Sequence, residues 1–555
     1  MKLSDVVADF LKEQEIDVVF GIIGSANSHI FDSINKLGFT KIIYLHHEQA
    51  CVQAMGAYFR ASGKLSAAIV TAGGGATNAV TGICSNWADS IPGFIFCGQE
   101  SSNYCNQHSN LRMFGTQGLD IVHMTSKIVK YGVRIDDPES IQECLETARF
   151  ETLNKRPGPV LIDIPFDVQS KKIEFRNWNF LESYIFESKN YNATYEILKN
   201  AKRPVVIGGH GVRLSNANEQ FKAFIEKYNI PCLLTWSAID ILDNNHPLHF
   251  GRFGLYGQRH SNFIIQNADV VLVLGSRMAL PQVGYDFSQF ARGSEIIVVD
   301  VDENEILKYQ QRYSSIHIES CDNFLRNFIK FDPFDAQSDW ISYCNIIKAK
   351  YPLVDKGFKK DEYVNSYSFI EEISDKLENN HIIVTDMGTA LLSGHQAITL
   401  KEKQTMFTSL GLGEMGYGLP GAIGAAVACP DKPVLCLNCD GGIMMNLQEA
   451  NTIVENKLNV KIVIFNNDGY LMIKHTQKML FNGKFVGVDT ATGVGLPNFS
   501  LLMPAFGYEY FSLKTMDDFN ETFEAFLAFD GQAVLEVFMN PEQDFIPKVK
   551  GVAQK

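Results

Sequence analysis

VLCLNCDGG, residues 434–442, is an apolar run that ends in a carboxylate and two glycines. Its length suits one buried strand of a parallel sheet. A carboxylate at a strand's carboxyl end, followed by glycines that free backbone amides, suits a cation that carries phosphate oxygens. Next, MMNLQEANTIVENKL (444–458) reads as helix, and VKIVIF (460–465) as a strand running into Asn466-Asn467-Asp468-Gly469. Asp440 and Asn467 lie 27 positions apart. That is one β-α-β crossover, which sets both strand ends side by side on one edge of a sheet. A carboxylate, an amide oxygen and a nearby backbone carbonyl can then converge on one Mg²⁺, which takes its other oxygens from a diphosphate and water. Two ordinary turns can also read DGG and NNDG, but this spacing at the ends of two apolar strands favours the site.

Outward from this unit, three segments alternate short apolar runs with helix-like stretches, the mark of parallel α/β sheets. The fold expected is three doubly wound parallel-sheet domains, at 1–167, 196–335 and 363–540. The first carries strand candidates VVFGI, KIIYL, SAAIVT, GFIFCG and PVLIDI; the second PVVIGG, PCLLTW, VVLVLG and EIIVVDVD; the third IIVTDMG, PVLCLNCDGG, VKIVIFNNDG and AVLEVF. The stretches near 168–195 and 336–362 read as linkers, and the last dozen residues as a tail.

The 555 residues hold 49 Lys and Arg against 63 Asp and Glu, a formal charge of −14. That balance argues against nonspecific binding to nucleic acid or an anionic membrane. No apolar stretch approaches the roughly 18–20 residues of a spanning helix, and acids interrupt the N-terminus where a signal peptide needs an apolar run. Eleven cysteines are scattered singly; Cys436 and Cys439 have CxxC spacing but no second pair or His cluster, so they read as buried strand residues. The expectation is a reduced, cytoplasmic protein.

The pairing of Asp440 and Asn467 resembles the thiamine diphosphate signature, GDG followed after 25–30 residues by NN, with Cys439 standing in place of the first glycine. The resemblance implies Asp440, Asn467 and the Gly469 carbonyl as Mg²⁺ ligands, with Gly441, Gly442 and Tyr470 beside the diphosphate. SLGLGEMGYGLPGAIGAAVA (409–428) resembles the loop that holds the aminopyrimidine, with Gly413 bonding the amino group and Met415 forcing the cofactor to bend. KIIYLHHEQACVQAMGAYFRASG (41–63) places Glu48 after a strand, at the start of a helix rich in small residues. Alone, an acid there compensates the helix dipole, yet HHEQA resembles the catalytic-glutamate segment of these enzymes. A desolvated carboxyl bonded to the pyrimidine ring helps that ring take the thiazolium C2 proton. GIIGSANSHIFDSI (21–34) resembles the family's glycine turn, which implies Gly24 near the substrate oxygen, and Gln117 matches an active-site glutamine of acetolactate synthases. TAGGGATNAVTGICSNWADSIP (71–92) resembles the loop over the active centre, and RPGPVLIDIPFDVQ (156–169) the motif closing the first domain.

Over about 540 residues the chain resembles the acetolactate synthase group. That group places each site between the first domain of one subunit and the third of another, which implies a homo-oligomer. Its middle domain binds FAD, and the matching positions are Gly209, Gly211, Thr235, Gly254, Leu255, Tyr256, Gly275, Ser276, Arg277, Asp300 and Asp322, with Arg156 from the first domain. FAD is therefore a candidate ligand. The family's acceptor-anchoring arginine is replaced by Pro281, in the string Met278-Ala279-Leu280-Pro281. Its acceptor-selecting tryptophan aligns with Thr476, and Ile473 stands where pyruvate decarboxylases carry a glutamate. The leading expectation is decarboxylation of a 2-oxo acid and transfer of its two-carbon unit to the keto group of a nucleotide-linked sugar. Acetolactate synthesis from two 2-oxo acids, with Lys474, Arg259 or His475 replacing the anchor, is the alternative; plain decarboxylation or oxidation follows behind.

Overall fold

The computed structural model describes residues 1–105, 111–113, 115–182, 184–187, 189–334, 338–354 and 362–549. Three six-stranded sheets, all parallel, account for the α/β pattern. The first holds β1 (Val18–Gly21), β2 (Lys41–Tyr44), β3 (Ala67–Val70), β4 (Gly93–Gln99), β5 (Tyr131–Arg134) and β6 (Pro159–Pro165). Its order is β2-β1-β3-β4-β6-β5. The second holds β7 (Pro204–Gly208), β8 (Cys232–Leu234), β9 (His249–Arg252), β10 (Val270–Leu274), β11 (Glu295–Asp300) and β12 (Tyr313–Ile318). It runs β12-β11-β10-β7-β8-β9, an order that reverses between β7 and β10.

The third sheet holds β13 (Ile382–Thr385), β14 (Thr405–Phe407), β15 (Val434–Cys439), β16 (Val460–Asn466), β17 (Glu509–Leu513) and β18 (Ala533–Phe538). Its order, β14-β13-β15-β16-β18-β17, repeats that of the first sheet. Equivalent helices of these two domains meet: Glu48–Ser62, which follows β2, packs on Gly418–Ala428, which follows β14. Small residues make the approach close enough that a Cβ on Gly424 would lie 2.2 Å from the Ala54 carbonyl oxygen. One hydrophobic core runs through both domains, joining Ala50, Ala54 and Ala57 to Val384, Ala422 and Ile423.

Two readings need correction. Residues 338–350, expected as linker, form the helix Ser338–Lys350, which packs against the helix Arg259–Asn267. Its Trp340 is buried and donates through Nε1 to the Pro204 carbonyl at 3.0 Å. The tail is tied down as far as it is described, Val549 N–H meeting the Leu255 carbonyl at 2.8 Å.

Candidate active site

β15 and β16 lie side by side with Cys439 opposite Phe465, so Asp440 and Asn467 emerge together at the carboxyl edge. The Asp440 carboxylate is fully buried and accepts the backbone N–H groups of Gly441, Asn467 and Gly469 at 2.7, 2.9 and 3.0 Å. Burial pushes its carboxyl up to about 7, against the pull of those amides. A cation beside it would reverse that shift by charge. Asn467 donates through Nδ2 to Thr389 Oγ1 at 3.3 Å, and its buried Oδ1 has no partner. An orphan amide oxygen beside a buried carboxylate suits a hard cation.

Gly469 sits at φ 117°, and a Cβ there would meet the Val488 carbonyl oxygen at 2.1 Å, so only glycine permits this turn. Gly441 packs on the Tyr470 ring and Gly442 on Asp386. Asp386, which no motif flagged, is fully buried and accepts from the N–H groups of Gly416 and Tyr417 at 2.9 and 3.0 Å. It thereby ties the loop carrying Gly413 and the half-buried Met415 to the end of β13. Cys436 and Cys439 are buried strand residues, as expected, and the Cys439 thiol accepts the Ala390 N–H. Among the described residues no His, Cys, Asp and Glu cluster forms a further metal site.

In the first domain, the 71–75 loop after β3 is where the candidate residues meet. A Cβ on Gly24 would touch the Thr71 side chain, one on Gly73 would touch Gln117, and one on Gly75 would touch Glu48 Oε1 at 2.9 Å. Glu48 is the first residue of its helix, 8% exposed, and accepts from Asn78 Nδ2 at 3.0 Å. Gln117 donates its backbone N–H to Glu100 at 2.7 Å. No hydrogen bond or ion pair among the described residues joins Glu48 to Asp440.

The middle domain holds a cavity of about 470 Å³ where the strand order reverses, at the carboxyl ends of the strands, the place where open α/β sheets take nucleotides. Gly211, Thr235, Gly254, Tyr256, Gly275 and Ser276 line it. So do Arg277, Asp300, Asp322 and Arg156. Two expected residues do not: Gly209 packs on the Gly275 carbonyl, and Leu255 faces an adjoining cavity. Arg156 bonds Asp302 and Glu305, each at 2.8 Å. Burial raises the Asp300 carboxyl to about 6 and lowers His210, whose ring nitrogens are both unpartnered. His210, between the flagged Gly209 and Gly211, also lines the cavity, as do the linker's Tyr184 and Phe186, which no sequence motif marks.

Pro281 lines this cavity too, where the family's arginine would stand, with Arg277 elsewhere in the lining. Of the replacement anchors, Lys474 pairs with Asp489 at 3.3 Å, His475 lies 3.4 Å from Asp544, and Arg259 covers the Tyr351 ring. Thr476 hydrogen-bonds its own helix, and Ile473 is half exposed.

Sheets, cradle and cleft together define an enzyme of the thiamine pyrophosphate class. Models of the thiamine pyrophosphate enzyme match its N-terminal TPP binding domain to residues 1–135, its central domain to 191–323 and its C-terminal TPP binding domain to 386–537. The acetolactate synthase isozyme 1 large subunit of Escherichia coli (strain K12) is 32% identical over 98% of this chain and 95% of its own. The acetolactate synthase large subunit of Lactococcus lactis subsp. lactis (strain IL1403) is 29% identical over 98% and 94%. The probable acetolactate synthase large subunit of Methanococcus aeolicus is 29% identical over 98% and 92%. The chain belongs to the acetolactate synthase-like family of thiamine pyrophosphate enzymes, as a cofactor-dependent carboligase.

Proposed function

We propose that this carboligase decarboxylates a 2-oxo acid, pyruvate being the simplest, and joins the remaining two-carbon unit to a second carbonyl substrate. The observation that carries the reading is the Asp440–Asn467 cradle, with its buried carboxylate and orphan amide oxygen. When bound, thiamine diphosphate supplies an electron sink for the carbon that loses CO₂. Asp440, Asn467 and the Gly469 carbonyl would hold the Mg²⁺, and Thr389 and Tyr470 flank them. Glu48 would bond the pyrimidine ring from a largely dry position, and Gly24 and Gln117 would face the substrate across the 71–75 loop.

The relatives, all acetolactate synthases by name, favour a second 2-oxo acid as acceptor over the nucleotide-linked sugar that the sequence first suggested. Pro281 supports the sugar as a second reading, because a keto sugar has no carboxylate to anchor and the three candidate cations are engaged elsewhere. FAD fits the middle-domain cavity by position, between the glycine turns after β7 and β10. No helix among the described residues is long and apolar enough to cross a membrane.

The test is product analysis by NMR after incubation with thiamine diphosphate, Mg²⁺ and pyruvate alone. Acetolactate identifies a 2-oxo acid acceptor. Slow CO₂ release with traces of acetaldehyde or acetoin, followed by a branched sugar when a nucleotide-linked keto sugar is added, identifies the second reading. No consumption of pyruvate overturns pyruvate as the donor.

A further inference from the structure

In each of the two domains of like strand order, the segment between the third and fourth strands sends one acid across the interface within the chain. Asp89 ends the helix Val80–Asp89, between β3 and β4. Its carboxylate accepts the Leu410 N–H at 3.0 Å and the Gly411 N–H at 2.8 Å, and Arg60 Nη1 holds it at 3.0 Å. Glu449 begins the helix Glu449–Glu455, between β15 and β16. Fully buried, it accepts the His46 N–H at 3.0 Å and the Thr452 hydroxyl at 2.7 Å. His46 Nδ1 meets that hydroxyl at 3.0 Å.

The two donor loops are reciprocal. Leu410 and Gly411 lead into Gly413; His46 and His47 lead into Glu48. Each acid from one domain therefore seats the loop of the other domain that enters the small-residue helix. Buried carboxylates are costly unless their lone pairs are filled. Here the backbone amides of two short loops fill part of them, beside Arg60 and the Thr452 hydroxyl, so a shifted loop leaves lone pairs of a desolvated carboxylate unmet.

We infer that Asp89 and Glu449 are positioning residues of the carboligase reaction: Glu449 sets where the Glu48 carboxyl points, and Asp89 sets where the Gly413 carbonyl points. This rests on the proposed roles of Glu48 and Gly413 toward thiamine diphosphate and adds the device that holds both. The two acids have different jobs. Glu449 governs the group that moves the proton, and Asp89 governs the loop that grips the pyrimidine.

Two measurements on the full chain separate these jobs: thiamine diphosphate affinity from tryptophan fluorescence at saturating Mg²⁺, and hydrogen–deuterium exchange at C2 of the bound cofactor by NMR after acid quench. Glu449→Gln should keep cofactor affinity within about threefold and slow C2 exchange about 10²-fold, the usual cost of a misplaced proton-transfer group. Asp89→Asn should weaken cofactor affinity about tenfold or more by leaving one loop amide unpaired. If Glu449→Gln does not fold, Glu449→Asp should show the same selective slowing, since it shortens the reach and keeps the charge. Wild-type exchange in the folded Glu449 variant, equal losses of affinity and exchange, or wild-type affinity in Asp89→Asn would each overturn the inference. A wild-type chain that neither binds the cofactor nor exchanges its proton would overturn the underlying reading, and this inference with it.

Discussion

Glu48 sits 8% exposed at the first position of its helix, bonded to Asn78 and against Gly75. The role proposed for it is proton handling rather than holding the cofactor. Glu48→Gln keeps the shape and the bond to Asn78, so cofactor affinity should stay near wild type while turnover falls by about 10²-fold or more; steady-state rates beside fluorescence titration check this. Asp163, in the middle of β6, is buried and accepts from Gln99 Nε2 at 3.0 Å while its Oδ1 is unpartnered. Burial lifts its carboxyl to about 7, whereas the unfolded group titrates near about 4. The folded chain thus holds an extra proton across that window, and this group's contribution to stability falls as pH rises from about 4 to about 7. Asp163→Asn removes that slope, so the melting temperature of the variant relative to wild type should climb between pH 5 and pH 7.5 and then level off. Legibility at this scale followed contiguity. Asp440 and Asn467 stand in short strings whose spacing suggests their chemistry, and Glu48 in a string, HHEQA, that suggests it by resemblance. Asn78 falls within the flagged 71–92 stretch, but Asp386 and Thr389 support the same sites from beyond the end of another strand, and nothing local in the sequence marks them.

At the scale of elements, the strands that the sequence concealed are β5, β9, β12, β14 and β17, and every one lies at the edge of its sheet. Interior strands are covered on both faces and read as unbroken apolar runs. An edge strand such as β17, with the sequence Glu-Tyr-Phe-Ser-Leu, is half exposed and carries no such run. The helix Ser338–Lys350 escaped for a related reason: only Trp340 and Cys344 are buried, too few to mark a periodic face. The contact between helices Glu48–Ser62 and Gly418–Ala428 was legible only as two stretches of small residues, since which helix meets which depends on three-dimensional packing. Its closeness gives a test. Gly424→Ala would force a methyl group to within 2.2 Å of the Ala54 carbonyl oxygen, and backbone cannot yield as a flexible side chain does. Overpacking of this kind should cost about 1–3 kcal/mol of stability, and the shift tilts the two loops that these helices follow. Denaturant unfolding measures the first effect and cofactor titration the second.

For the whole molecule, the equal strand orders of the first and third sheets and the meeting of their equivalent helices give one chain an approximate internal two-fold relation. Among the described residues no hydrogen bond joins Glu48, proposed to handle the proton, to Asp440, proposed to hold the metal. If two copies pair so that each lends its first domain to the other's third domain, a defect in Glu48 and a defect in Asp440 lie in different halves and complement one another. Glu48→Gln and Asp440→Ala should each be nearly inactive alone, the second by losing cofactor binding beyond the roughly 10–100-fold cost of removing a supporting partner. Co-refolded in equal amounts, half of the dimers should be mixed, and each mixed dimer carries one site with both residues intact. Activity should therefore return to about a quarter of wild type, the statistical outcome for an isologous dimer with two sites. A site built wholly within one chain predicts no recovery at any mixing ratio. The recovered rate should also fall on dilution in step with the dimer fraction measured by sedimentation, because an isolated chain then holds only the unpaired halves of two different sites.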